Sequence, residues 1–160
     1  MREGKVLAAC LNGAYVIRLD GDVRLSLCTS IDDYFQKMYE DPEFVSVVVD
    51  LCNAQGIDST TLGLLARLAL HVKAEFGFQP AIYSSDPGIN RLLRSMAFQT
   101  LFELHEVACD DPAEINEIPT VRGSEAAVKQ QVIDAHRVLM GVSDENHERF
   151  KDLLTALEKA

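Results

Sequence analysis

Two rhythms of apolar and polar positions divide this chain. Up to about residue 106, short apolar runs and alternations are interleaved with helical stripes, whereas from Ser124 onward only helical spacing remains. Val6 to Leu11 is a weakly alternating apolar stretch. It ends at Asn12-Gly13, a dipeptide that favours a tight hairpin turn. Tyr15, Ile17 and Leu19 then alternate with Val16, Arg18 and Asp20, which predicts a second, antiparallel strand broken at Gly21-Asp22. After an apolar connection at Leu25 to Leu27, Thr29 or Ser30 is the expected cap of a helix through Ile31, Tyr34, Phe35 and Met38. Asp41-Pro42 stops that helix.

The stretch Ser46 to Leu70 organises the rest. Val47-Val48-Val49, closed by Asp50, is a continuous β-branched run of the kind found in strands buried on both faces. Leu51 to Ile57 reads as a loop. Leu62, Leu65, Leu68/Ala69 and Val72 are at helical spacing, and Asp58 or Ser59 is the expected N-cap, with Thr60 and Thr61 in the first turn. Gly77 is the expected left-handed C-terminal residue. Pro80 to Ser84 predicts a short strand. Asp86-Pro87 predicts a helix start with the stripe Ile89, Leu92, Leu93 and Met96, and Leu101 to Leu104 predicts a last strand. The order is ββαβαβαβ: an α/β fold with a mixed sheet and helices packed on one face.

Residues 1–109 form the expected sheet domain and 110–123 an acidic linker. Residues 124–160 form a helical extension, with stripes at Val128, Val132, Ala135, Leu139, Val142 and then Phe150, Leu153, Leu154, Leu157. A hairpin of that size folds poorly alone. It is expected to dock on the sheet domain, pair with a copy of itself or offer a partner surface.

Charge narrows the possible partners. The net charge of −10 leaves no basic stripe for phosphate backbones or anionic membranes. The N-terminus has no signal-peptide pattern and no run approaches the ~20 apolar residues of a spanning helix, so a cytoplasmic protein is expected. Cys10, Cys28, Cys52 and Cys109 have no metal-ligand spacing, and His71, His105, His136 and His147 are scattered. No phosphate-binding loop, dinucleotide fingerprint or nucleophile elbow occurs. Asp20, Asp22, Asp50 and Asp58 lie near predicted strand ends without a metal motif. The residues therefore point to no enzyme, no cofactor and no metal.

The hydroxyl cluster at Ser59 has two compatible readings. It is a helix cap, and it is a modification or docking point, because a phosphate there would add charge and acceptors at a positive helix end.

VVVDLCNAQGIDSTTLGLLARL resembles the core of STAS domains, the anti-sigma factor antagonist family. That pattern is an apolar strand ending in Asp, a short loop, then Asp-Ser-[Ser/Thr]-Gly-[apolar]-Gly opening a helix. Asp50, Asp58, Ser59, Thr60, Leu62 and Gly63 match, whereas Thr61 replaces the family's Gly. Arg24 stands where many members carry Asp. The resemblance spans residues 5–106 and is closest to proteobacterial anti-anti-sigma factors of the secretion and biofilm type.

It implies a non-enzymatic partner switch. The unphosphorylated protein binds and sequesters an anti-sigma factor, a serine kinase phosphorylates Ser59 (Thr60 as the lesser candidate), and a metal-dependent serine phosphatase reverses this. Partner contacts are implied at Asp22, Arg24, Asn53 and Gln55, and at Asp58, Ser59, Thr60 and Thr61. The alternatives are a STAS-like constitutive subunit of a lipid-transport or other complex, and a nucleotide or small-molecule sensor using Asp20 to Arg24 and Cys52 to Ser59.

Overall fold

The computed structural model describes residues 1–160 and places a seven-stranded mixed sheet under a helical layer. The strands are β1 (Lys5–Leu11), β2 (Ala14–Val23), β3 (Ser46–Asp50), β4 (Ala54–Ile57), β5 (Ala81–Tyr83), β6 (Glu103–His105) and β7 (Asn116–Glu117). The helices are α1 (Cys28–Glu40), α2 (Ser59–Phe76), α3 (Pro87–Ser95), α4 (Glu125–Val142) and α5 (Asp144–Lys159). The sheet order is β6-β5-β3-β2-β1-β7, with β4 beside the end of β2. β1 and β2 form the antiparallel hairpin, and β2, β3, β5 and β6 run parallel. The turn at Asn12-Gly13 has positive φ at both residues (51° and 85°), the backbone that this dipeptide tolerates best.

Burial alternates along the central strands. Val6, Ala8, Ile17, Leu19, Val47, Val49 and Ile82 are buried, and they join Ile31, Phe35 and Met38 of α1, Leu65 and Leu68 of α2 and Leu93 of α3 in one core. Their neighbours Leu7, Val16, Val48 and Tyr83 are only half-buried. The triple-valine run is thus a one-sided strand: Val48 is on the thinly covered face, so continuous apolarity overstated its burial. On that same face Arg18 pairs with Asp50, Nε to Oδ2 at 2.9 Å, where the strand register sets them side by side.

Four further boundaries differ from the sequence reading. β2 does not stop at Gly21-Asp22. A bulge there, with Gly21 at φ 74°, carries the strand on to Val23 and onto β4. β4 itself lies within the stretch read as loop. Ala54-Gln55-Gly56 has little intrinsic strand preference and pairs because β2 offers an edge. The last strand starts two residues later than expected, after a 3-10 turn at Phe98–Thr100. The first helix starts at Cys28 with no side-chain cap, since Thr29 and Ser30 are turned to the C-terminal part of the chain.

Residues 110–123 lie against the sheet domain. Asp111 reaches Arg18, β7 pairs with β1, Ile118 is buried, and Val121 exchanges hydrogen bonds with the Ser30 hydroxyl. Beyond them α4 and α5 fold back as a hairpin, with α4 packed on α2. No helix of the chain is long and apolar enough to cross a membrane.

Candidate functional site

The site forms where β2 and β4 end together and α2 begins. The Asp58 N–H donates to the Val23 carbonyl at 3.3 Å, so the chain leaves the sheet there and turns directly into helix. Asp58 is the N-cap, in extended conformation. Its Oδ1 accepts from the Thr61 N–H at 2.9 Å and from the Thr61 hydroxyl at 2.7 Å, and its Oδ2 accepts from the Leu25 N–H at 2.8 Å. One carboxylate therefore closes the helix start and ties it to the segment after β2. Charge-assisted bonds of this kind are the strong ones.

Ser59 follows as the first helical residue, half-buried. Its Oγ is 2.8 Å from Nε2 of His136, which comes from α4, 77 positions along the chain. The other ring nitrogen, Nδ1, is 2.6 Å from the Val132 carbonyl oxygen. A carbonyl can only accept, so Nδ1 carries a proton; in the neutral ring Nε2 is then the acceptor and the Ser59 hydroxyl donates to His136. The ring is buried, with Phe150 of α5 edge-on to it at 5.3 Å between centroids.

Close approach of the helices has a cause in the sequence. A Cβ at Gly63 would lie 2.6 Å from the Ala135 Cβ, so only glycine lets α4 sit this close to α2. The space left between them is a cavity of about 10 Å3 lined by Cys28, Thr60, Gly63, Leu64, Gln131 and Ala135, room for about one water. Cys28 lies 3.5 Å from the Thr61 hydroxyl. Burial, with lesser contributions from Asp58 and Asp32, pushes its thiol up to about 11. It is a protonated core residue at neutral pH.

Several of the expected contact residues do gather here. Arg24 is exposed and paired with Asp22, Nε to Oδ2 at 3.0 Å, and its guanidinium is held in the charged form chiefly by that bond and further by Asp58. Asn53 and Gln55 are exposed, and the Gln55 side chain accepts from the Arg2 N–H. Thr60 and Thr61 are different. They are 6% and 0% exposed, Thr60 under α4 and Thr61 turned into the core as part of the cap. A buried hydroxyl is no surface contact, so Thr61 in place of the motif's glycine serves the fold.

The four strand-end acids do not converge. Asp20 pairs with Arg2, Asp22 with Arg24 and Asp50 with Arg18, while Asp58 is spent on backbone N–H groups. No group of three His, Cys, Asp or Glu side chains is arranged to hold a metal ion.

No protein-family model and no curated protein matches this chain.

A serine donating to an oriented imidazole at a helix N-terminus is a nucleophile and base in contact. Here the pair is in direct contact, with the imidazole buried and the serine half-buried. Sequence reading overlooked His136 because its partner is so far along the chain. The available signal was its position: three residues before Leu139 and next to Ala135, on the apolar stripe of the predicted helix.

Proposed function

We propose that this chain is a STAS-like anti-sigma factor antagonist, a non-enzymatic switch that binds and sequesters an anti-sigma factor and is controlled by phosphorylation of Ser59. The observation that supports this reading is the placement of the Ser59 hydroxyl: first turn of α2, just past an Asp58 cap whose charge acts on the exposed Arg24, at the edge where β2 and β4 end. A phosphate there meets the positive end of an 18-residue helix, so the fold tolerates it. A docked partner meets two added charges and must desolvate them. A loss of ~3 kcal/mol of binding is more than a hundredfold in affinity.

The partners of this reading are the anti-sigma factor, a serine kinase and a metal-dependent serine phosphatase. Intact-mass and peptide mass spectrometry of the protein from its own cells tests it. A phosphate on Ser59 under some growth condition is expected. In pull-downs from the same cells, Ser59→Ala should keep its partner and Ser59→Asp should lose it. Failure of both variants to change binding sinks the switch at this residue.

One observation favours a second reading. The Ser59 hydroxyl already has a buried partner in His136. In a constitutive STAS-like subunit of a larger complex, that bond would be its whole purpose. An unmodified chain in growing and stressed cells alike is the result that reading expects.

A further inference from the structure

The C-terminal hairpin sits on the residue that the proposed switch must expose. We propose that α4 and α5 are an intramolecular cover of Ser59, and that docking of this hairpin and phosphorylation of Ser59 exclude each other. The proposal rests on the reading of Ser59 as a phosphoacceptor.

The geometry gives two reasons. The first is space. Oγ and Nε2 are 2.8 Å apart, so a tetrahedral phosphoryl group on Oγ cannot lie between Ser59 and His136 while the two side chains stay in contact. The second is the proton. On phosphorylation by a nucleoside triphosphate, the Oγ–P bond forms, the bond from the γ-phosphorus to the diphosphate breaks, and the hydroxyl proton leaves to the kinase's base or to solvent. The ester oxygen is then an acceptor only. In the neutral ring His136 Nε2 is also an acceptor, because Nδ1 holds the ring's proton against Val132. The bond that closes the cover is lost, and a buried ring nitrogen faces anionic oxygen.

The hairpin is built to come away as a unit. It hangs from an exposed stretch at Arg122 to Ala127. Its buried apolar residues are Ile133, Ala135, Leu139, Phe150 and Leu154, with Val138, Met140 and Val142 half-buried beside them, and none of its backbone joins the sheet. Its second anchor, Asn146 donating to the Met96 carbonyl at 2.9 Å, leaves the buried Asn146 Oδ1 without a partner. Segments held this thinly are the ones that open below the global unfolding free energy. Opening bares Thr60, Gly63 and Leu64, the face of α2 that follows Ser59 and now lies against Gln131 and Ala135. The same movement therefore gives a kinase its hydroxyl.

The decisive experiment is hydrogen exchange by mass spectrometry on the full chain, with serine or phosphoserine placed at position 59 by genetic code expansion. In the phosphoprotein, amides of residues 125–159 are expected to exchange at least about tenfold faster, while β3 and the second half of α2 keep their protection. Unchanged or slower exchange in α4, as from a hairpin clamped on the phosphate, overturns the proposal. A second measurement needs no phosphate. In full-length Ser59→Cys, N-ethylmaleimide labelling of position 59, normalised to the exposed Cys10, is expected to rise about tenfold when Ala135→Phe is added to wedge α4 off Gly63. Equal labelling with and without the wedge also overturns it. Both readouts are independent of whether cells phosphorylate Ser59, so a chain found unmodified in cells would defeat the proposed function without touching this result.

Discussion

The sheet domain and the C-terminal hairpin are both helical layers over apolar residues, yet they are held by different means. In the sheet domain, strand ladders run through the larger part of a continuous core that starts at Val6 and that Leu139 and Phe150 of the hairpin also enter. The hairpin has no ladder. It rests on side chains: Leu139 and Phe150 in the shared core, the Gly63–Ala135 contact, and the hydrogen bonds of His136, Gln131 and Asn146. Cooperative structure spreads a local loss through the whole, while a surface attachment confines it. The scaffold holds Ser59 in position, and the attachment decides whether Ser59 is reachable.

Core truncation tests that contrast most severely. Leu65→Ala in α2 and Leu139→Ala in α4 both remove fully buried side chains, and each deletion carries a transfer and cavity cost of about 2–5 kcal/mol. Leu65→Ala should lower the urea midpoint of the whole domain. Leu139→Ala should instead release exchange protection in 125–159 while the sheet amides keep theirs. A global midpoint shift of equal size in both would show one cooperative unit and erase the distinction.

Removal of the cap comes next. Asp58→Ala deletes the acceptor for Thr61 and Leu25, at a cost of about 1–2 kcal/mol by chemical denaturation. It should also loosen the segment around Arg24, because the same carboxylate ties both.

The smallest effect is in alkali and belongs to the scaffold. Burial pushes the Cys28 thiol up to about 11 from 9.0, and burial likewise raises the Tyr39 phenol above its ordinary 10.0. Both hold their protons more tightly folded than unfolded. Their contribution is complete below about pH 9 and is lost as pH climbs toward the folded values. The urea midpoint should fall between pH 8 and pH 10.5, and Cys28→Ala should flatten that fall.

What could be read from the sequence was what neighbours in the chain decide. Asn12-Gly13, Asp58, Gly77 and Asp86-Pro87 each act within four residues, and each does what its chemistry requires: a turn, a cap that accepts from Thr61, a left-handed helix end, and a cap that accepts from Gly88 with proline at the first turn. The antiparallel hairpin at the entry to the sheet was equally legible, from the Asn12-Gly13 turn and the alternation after it, whereas the unbroken valine run hid that its strand is buried on one side. β4 was hidden because its pairing depends on where β2 continues after a bulge. The hydroxyls of Thr29 and Ser30 looked like caps, and instead serve Gln131 and Val121, about a hundred residues on. His136 was visible as a residue on an apolar stripe but not as a partner of Ser59, since nothing local joins α2 to α4.

One modest element has a consequence for life at high concentration. β1 is a seven-residue strand whose outer side would present unpaired N–H and C=O groups, an invitation to edge-to-edge polymerisation. The two residues of β7, Asn116 and Glu117, occupy that side, and the Ile118 N–H extends the cover to the Val6 carbonyl. A carboxylate placed on the last accessible rung repels the edge of any second sheet. The segment between the two regions thus covers the middle of an otherwise open sheet edge, at Val6, Leu7 and Ala8.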